Sequence, residues 1–581
     1  MKNIAKSIMA VCAAVSLTAC TSGSSAAAST AAVFSNPGTY SATASGRNGD
    51  VTVTLTVTES EITSIEVESE ETETIGVSAM NSLTETIIAN QSLAVDSVSG
   101  ATLSCDAYFE ALNDCIEQAG GDLEALNGEI AAVETEYTTE ADIIVVGAGA
   151  AGMTAAVTAS NNGKTVILLE KSSSVGGNTL CAANGINALD SDVQLASEDY
   201  QNAETSLENF VELHTNDLNK DDLSLVETLA EASGETINYF TGLGVELAPE
   251  ISDDSRNSSS NPYLLKEANG ESTAVTLINA ISGALDETDV ILYKNMDATT
   301  LVQDETGRVT GVTATDENGN EVTFSGNAVL LTTGGFGQNQ ELIAEANPSL
   351  AGAITDEQAP TTGEGLLMAE AVGAGTVDLG EIQTFPSVIS GYGMFMSFGL
   401  WNSGDAILVN ADGDRFVKEQ FEVPSEILAQ EGSLAYGIFD ADNYNDNYQN
   451  MIDNGFMFTA DNLDDLAAQL GIDAEGLKAA VEQWNADAET GTDTVYGREN
   501  LTTIEGTYYG YIVGVGAHYF MGGITINSDT QVLDTEGNVI EGLYAAGEVT
   551  GGLHGSQRVD GTGLADSFVM GRVAGNVLSA E

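Results

Sequence analysis

One run of six residues constrains this fold more than any other: Gly147-Ala148-Gly149-Ala150-Ala151-Gly152. It follows Asp142-Ile143-Ile144-Val145-Val146, a continuous apolar stretch that reads as a strand buried on both faces of a parallel sheet. It opens an Ala-rich stretch that reads as a helix to Asn161. A second apolar strand, Thr165-Val166-Ile167-Leu168-Leu169, ends in Glu170. Glycine at 147 permits a tight turn, Gly149 lets the backbone approach a pyrophosphate, and Gly152 lets helix and strand pack closely. The helix N-terminus then favours phosphate charge, and Glu170 is placed to accept hydrogen bonds from a ribose. The expected core is an α/β, Rossmann-type dinucleotide site.

The rest of the chain must be built around that core. Its 581 residues suggest about three or four domains. Hydrophobic residues make up 43 %, enough for packed cores. Only 16 Lys+Arg stand against 88 Asp+Glu, a formal charge of −72, which argues against nucleic acid as a partner. Any anionic substrate must find local positive charge, so each basic residue near the site matters.

The N-terminus reads as an export signal: Lys2 and Lys6, then an apolar stretch Ile8–Ala19 too short to span a bilayer. Leu17-Thr18-Ala19-Cys20 resembles the bacterial lipobox, which implies a lipid anchor at Cys20 and an extracytoplasmic, membrane-attached enzyme. The remaining cysteines, Cys105, Cys115 and Cys181, lack zinc or c-type haem spacing. Cys105 and Cys115 fall on one expected helix, roughly 15 Å apart, and are expected as free thiols.

From Tyr40 to Glu68 apolar residues alternate with threonines, the pattern of a β-meander. Helical stretches follow around Met80–Asn90 and up to Gln118, separated by Asp96-Ser97-Val98-Ser99-Gly100-Ala101-Thr102. Val309–Thr315 and Glu321–Phe324, joined through Asn318-Gly319, read as a hairpin. Ala328–Leu331 reads as another core strand. His214 falls on an expected helix and is read as structural.

Several segments resemble the fumarate reductase/succinate dehydrogenase flavoprotein superfamily. They are Glu170-Lys171 with Gly176-Gly177-Asn178-Thr179, then Asn184-Gly185, Thr333-Gly334-Gly335, Thr362-Gly363-Glu364-Gly365 and Ala546-Gly547-Glu548-Val549-Thr550-Gly551-Gly552. The resemblance implies non-covalent FAD, held by these residues with Gly147, Gly149, Ala151, Gly152, His554, Gly563 and Leu564. It also implies a mobile capping domain over the flavin. Ser99-Gly100-Ala101-Thr102 resembles the motif of FMN-binding domains, where a flavin transferase joins FMN to the threonine hydroxyl; Thr102 is the match. The implied division is signal 1–19, linker 20–36, FMN-binding domain 37–118, linker 119–139, FAD-binding domain 140–380 and 518–581, and cap 381–517. A membrane electron donor would reduce FMN, and FMN would pass electrons to FAD.

The catalytic positions depart from the family. Arg558, in His554-Gly555-Ser556-Gln557-Arg558, matches the carboxylate-clamping arginine. Phe385 and Tyr519 replace substrate-binding histidines, and Val423 stands where the proton-donating arginine belongs. The proton-relay pair falls on Gly399 and Asn402. With Tyr392, Met394, Phe395, Met396, Phe398 and Trp401 nearby, one clamp and an apolar pocket fit an aryl acrylate such as cinnamate, or urocanate. Tyr519 is the expected acid, with His518 beside it; in a strand the two point to opposite faces. The alternatives are a ketosteroid-type enone reductase or dehydrogenase acting through Tyr519, and a non-catalytic flavin electron carrier.

Overall fold

The computed structural model describes residues 33–580 except 72–75, 96–100, 128–135, 183–184, 204, 251–260, 390–393, 396–404, 420–422, 445–446, 454 and 500. The signal with Cys20, the segment Asp96–Gly100, Asn184, and the cap residues Tyr392, Met396, Phe398, Gly399, Trp401 and Asn402 lie outside the described residues, as do the side chains of Thr102, Met394 and Phe395. Among the described residues no helix is long and apolar enough to cross a membrane.

The N-terminal unit is the expected meander. Strands β1 (Gly38–Ser45), β2 (Asp50–Val57) and β3 (Ile62–Ser69) form an antiparallel sheet in that order. The inward face of β2, Val51, Val53, Leu55 and Val57, is buried, while its threonines pair across the outer face. Helix α1 (Ser78–Asn90) packs on β3, and α2 (Thr102–Gln118) packs on β1 and β2. Cys105 and Cys115 lie buried on α2, and neither is in a disulfide.

The linkers are shorter than the sequence suggests. Phe34, 1 % exposed, belongs to this unit's core and bridges Gly121, and Leu126 is buried in the same cluster. At the far end, Tyr137 donates to Asp316 and Ser325 binds Thr139, so these residues belong to the next unit. Polar and Gly-rich composition marked both stretches as spacers; a few apolar anchors decide otherwise.

The second unit is a six-stranded sheet. Its elements begin with β4 (Ile143–Val146), α3 (Ala150–Asn161), β5 (Val166–Leu169), β6 (Ile291–Tyr293) and β7 (Ala328–Leu331). Every residue of β4, β5 and β7 is buried, as continuous apolar strands in a parallel sheet require. The hairpin around Gly319 forms as read, with Gly311–Ser325 to Thr315–Glu321 pairing. The chain then enters an antiparallel sheet through β8 (Ile382–Ile389), β9 (Ala435–Asp440) and the long β10 (Tyr508–Phe520). Because β10 runs unbroken past Ala517, the expected cap boundary at 517/518 falls inside a strand; side-chain texture changes there, but the ladder does not. The chain returns through β11 (Gln531–Leu533) and β12 (Val539–Ala545), giving the order β11-β12-β7-β4-β5-β6.

The cap carries its own core around Trp484, fully buried. Arg415 is clamped there between Glu419 at 2.8 Å and Asp493 at 2.9 Å, and stacks 4.8 Å from the Trp484 ring. Arg498 also binds Glu419, at 3.0 Å. Val423, where the family places its acid, is 1 % exposed and precedes a short helix.

Candidate active site

The cleft lies at the carboxyl ends of β4, β5 and β7, where an open parallel sheet accepts ligands. Gly147 has φ +101°, and a β-carbon there would stand 2.5 Å from the Thr332 carbonyl oxygen. At Gly152 a β-carbon would stand 1.8 Å from the Gly147 carbonyl oxygen, so α3 can approach only as glycine. Gly149 faces open space instead, its nearest neighbour 4.0 Å from a built β-carbon. The amides of the first turn of α3 point into that space, as at any helix start. This cradle suits a pyrophosphate.

Of the predicted residues, Gly147, Gly149, Ala151, Glu170, Lys171, Gly177, Asn178, Thr179, Thr333, Gly334, Gly547 and Glu548 line this one cleft. Gly176 stands behind it, bonding Ala148 through its amide at 2.8 Å, and Gly335 backs Glu548. The Glu170 carboxylate accepts from the Ala148 and Ser172 amides, both at 2.7 Å; each oxygen keeps a lone pair for a ribose hydroxyl. Burial raises its pKa, against the pull of those amides. Lys171 is held away from the phosphate cradle by Glu364 at 2.6 Å. Two residues absent from the sequence reading complete the wall: Gln358 and Thr361, bonded through Gln358 N and Thr361 Oγ1 to Asn178 Oδ1.

A second cluster adjoins the first through Glu548 and the turn Asp566–Ser567. The buried Asn187 donates to the Asp560 carbonyl and to Thr562 Oγ1, which fixes the short helix Thr562–Ala565 bearing Gly563 and Leu564. Gly185 packs against Leu265. At Gly563 a β-carbon would stand 3.0 Å from the Tyr519 ring and 3.1 Å from Arg558 Nη1. Arg558 lies over the Tyr519 ring, 4.6 Å from its centroid, and donates from Nε to Gln383 Oε1 at 2.9 Å. No carboxylate pairs with Arg558 among the described residues, although Lys171, Lys266, Arg415, Lys478 and Arg498 each carry one.

The two candidate acids diverge. Tyr519 donates its hydroxyl to Asp566 Oδ2 at 3.0 Å, and His554 Nε2 lies 3.2 Å from the same hydroxyl oxygen. Burial, then the Asp566 charge, push its phenol well above the ordinary value. His518 bonds through Nδ1 to Asp356 Oδ2 at 2.8 Å, its ring 5.0 Å from that of Phe385. Asp566 opens a π-helical turn, Asp566–Met570, and its Oδ1 is buried without a partner among the described residues. His554 is fixed from behind by Asn216, which donates to its carbonyl at 2.7 Å. His214, read as structural, is buried with Nε2 at 2.9 Å from Thr562 Oγ1. Gln383, Asp356 and Asp566 are members to which the sequence gives no role; for Asp566 the available signal is an Asp within the apolar run Leu564-Ala565-Asp566-Ser567-Phe568.

The FAD binding domain family matches residues 142–564, and the FMN-binding domain family matches residues 46–117. The chain is 34 % identical over 444 residues to the fumarate reductase (cytochrome) of Shewanella frigidimarina, covering 75 % of this chain and 76 % of that protein. The chain belongs to the fumarate reductase-type family of FAD flavoproteins. It is also 31 % identical over 528 residues to the urocanate reductase of Eggerthella lenta, covering 86 % and 85 %. The solved open conformation of a flavocytochrome c3 fumarate reductase matches with a TM-score of 0.70 at 30 % identity, over 76 % of this chain and 78 % of that one. The protein is therefore an FAD-dependent oxidoreductase acting on carbon–carbon double bonds, with an FMN-binding domain ahead of it. Its relatives support flavin-dependent reduction of unsaturated carboxylates.

Proposed function

We propose that this protein reduces an α,β-unsaturated acid with one carboxylate and one flat apolar end, an aryl acrylate such as cinnamate, or urocanate. The observation that carries the reading is Arg558: a guanidinium without an acid partner among the described residues, aimed by Gln383 and Tyr519 beside Gly563. Its free edge binds a carboxylate through two parallel hydrogen bonds. Phe385, beside His518, offers the other end an aromatic wall where a dicarboxylate would need a polar partner.

Bound FAD supplies hydride to one alkene carbon. Tyr519 gives a proton to the other as charge develops there, since burial keeps the phenol protonated at neutral pH. His554 and Asp566, both within hydrogen-bond reach of that hydroxyl, orient it. His518 is held by Asp356 and orients the wall. Thr102, at the start of α2, would hold FMN once a flavin transferase has joined it, and that flavin would supply the entry point for electrons from a membrane donor. Cys20 anchors the chain outside the cytoplasmic membrane.

Reoxidation of reduced viologen across fumarate, urocanate, cinnamate and an enone steroid tests the reading. Turnover on cinnamate or urocanate, with little on fumarate, is expected. Turnover on the steroid alone overturns it in favour of the ketosteroid-type alternative, and turnover on none in favour of an electron carrier.

A further inference from the structure

Behind the cleft lies a pair of acids that the reaction above does not use. Glu357 is 7 % exposed and follows the strand residue Thr355; Glu548 comes from the turn after β12 and lines the cleft. Their Oε1 atoms converge: a β-carbon at Gly335 would stand 3.1 Å from that of Glu357 and 3.2 Å from that of Glu548. Backbone amides serve the pair elsewhere. Gly337 donates to Glu357 Oε2 at 2.9 Å, and Phe520 donates to Glu548 Oε1 at 3.1 Å. Glu357 Oε1 is buried with no N–H or O–H donor among the described residues.

Two carboxylates cannot face each other in such a place with both charged. Burial and the Glu548 charge hold Glu357 far above the usual carboxylate range, and Glu548 is raised by burial. The remaining ionisable groups around the pair are Asp356 and His518, bonded to each other, then Tyr519 and Arg558. Of these, His518 and Arg558 favour charge on Glu548, while Asp356 opposes it on Glu357. The balance leaves one proton on two carboxyls, with a second site open.

We propose that Glu357 and Glu548 form an acid–carboxylate pair that takes up a second proton when the neighbouring flavin is reduced and releases it when the double bond is saturated. The balance closes. Reducing an alkene consumes two electrons and two protons. One proton travels with the electrons as hydride. The other enters from solvent at the pair, where it offsets the negative charge that reduction adds to the cleft. When hydride leaves and that charge is lost, the pair gives the proton up to recharge the acid at the alkene, and returns to one proton. The electrons come from the one-electron donor that reduces FMN. The inference needs only the flavin, so it stands apart from the identity of the substrate.

The test is the FAD midpoint potential of the purified flavin-loaded protein, measured without substrate from pH 6 to 8. For a two-electron couple a tenfold change in equilibrium constant is about 30 mV. Two protons per two electrons then give a fall of about twice 30 mV per pH unit in the wild type. Glu357→Gln keeps a hydrogen-bond partner for Glu548 but cannot titrate, so its slope should drop to about 30 mV per pH unit. Equal slopes in the two proteins, or a one-proton slope in the wild type, overturn the proposal. Should the variant fail to hold flavin, the reduced-minus-oxidised infrared spectrum of the wild type decides: a gain of protonated-carboxyl C=O stretch supports the pair, and its absence refutes it.

Discussion

Replacing Tyr519 with Phe removes one oxygen and strands a buried charge. Asp566 is 1 % exposed, and its Oδ1 already lacks a donor among the described residues. Its Oδ2 is served by Tyr519 at 3.0 Å and, more weakly, by His554 at 3.4 Å. A hydrogen bond to a charged group contributes about 1.5–3 kcal/mol, and leaving a buried acceptor unserved costs about as much. Tyr519→Phe should therefore destabilise the unit around the site by about 2 kcal/mol. Urea unfolding followed by far-ultraviolet circular dichroism reads this as a lower midpoint with unchanged slope. Asp566→Asn in the same chain removes the stranded charge and should restore at least half of the loss. Catalysis should separate from stability. The proton donor contributes about 10²–10⁴-fold, so kcat should fall by that order in both variants while KM, set by Arg558, holds. A Tyr519→Phe protein within about 0.5 kcal/mol of wild type, or one that Asp566→Asn weakens further, would refute the reasoning.

Three shorter predictions follow from the same geometry. Gly152→Ala sets a β-carbon 1.8 Å from the Gly147 carbonyl oxygen, so the variant should purify without FAD colour; normal flavin content would contradict the cradle. His214 is buried neutral, its pKa pushed down from 6.5 to about 4 by burial. The folded state refuses a proton that the unfolded chain accepts. Stability is thus intact above about pH 6.5 and lost as pH falls through 4, by about 3 kcal/mol in all; His214→Gln should flatten that slope in acid unfolding curves. Thr102→Ala should abolish the FMN increment in the intact mass of the denatured protein and leave FAD binding unchanged.

The nucleotide core was legible because its signal is local. Strand, glycine turn, helix and second strand occupy under thirty consecutive residues, and Gly152 answers the Gly147 carbonyl within that span. The meander and the hairpin at Gly319 were legible for the same reason, through alternation and turn chemistry. What sequence could not convey is polar pairing across distance. Gln383 meets Arg558, Asp356 meets His518, and Glu357 meets Glu548, each from a different element. No periodicity records such a meeting. The linkers were drawn too wide because Phe34 and Leu126 are isolated apolar residues in polar surroundings, and burial of single residues leaves no pattern.

The claim on which the rest depends is that Arg558 takes the acid group of the substrate beside the flavin. Wild type and Arg558→Ala should be compared with an aryl acrylate and with its neutral methyl ester, using reduced viologen as donor. Truncating a buried charge partner costs about 2–5 kcal/mol, so kcat/KM for the acid should fall about 30-fold or more, while the ester, slow with both, changes little. Equal loss on acid and ester, or no loss on either, would contradict the account.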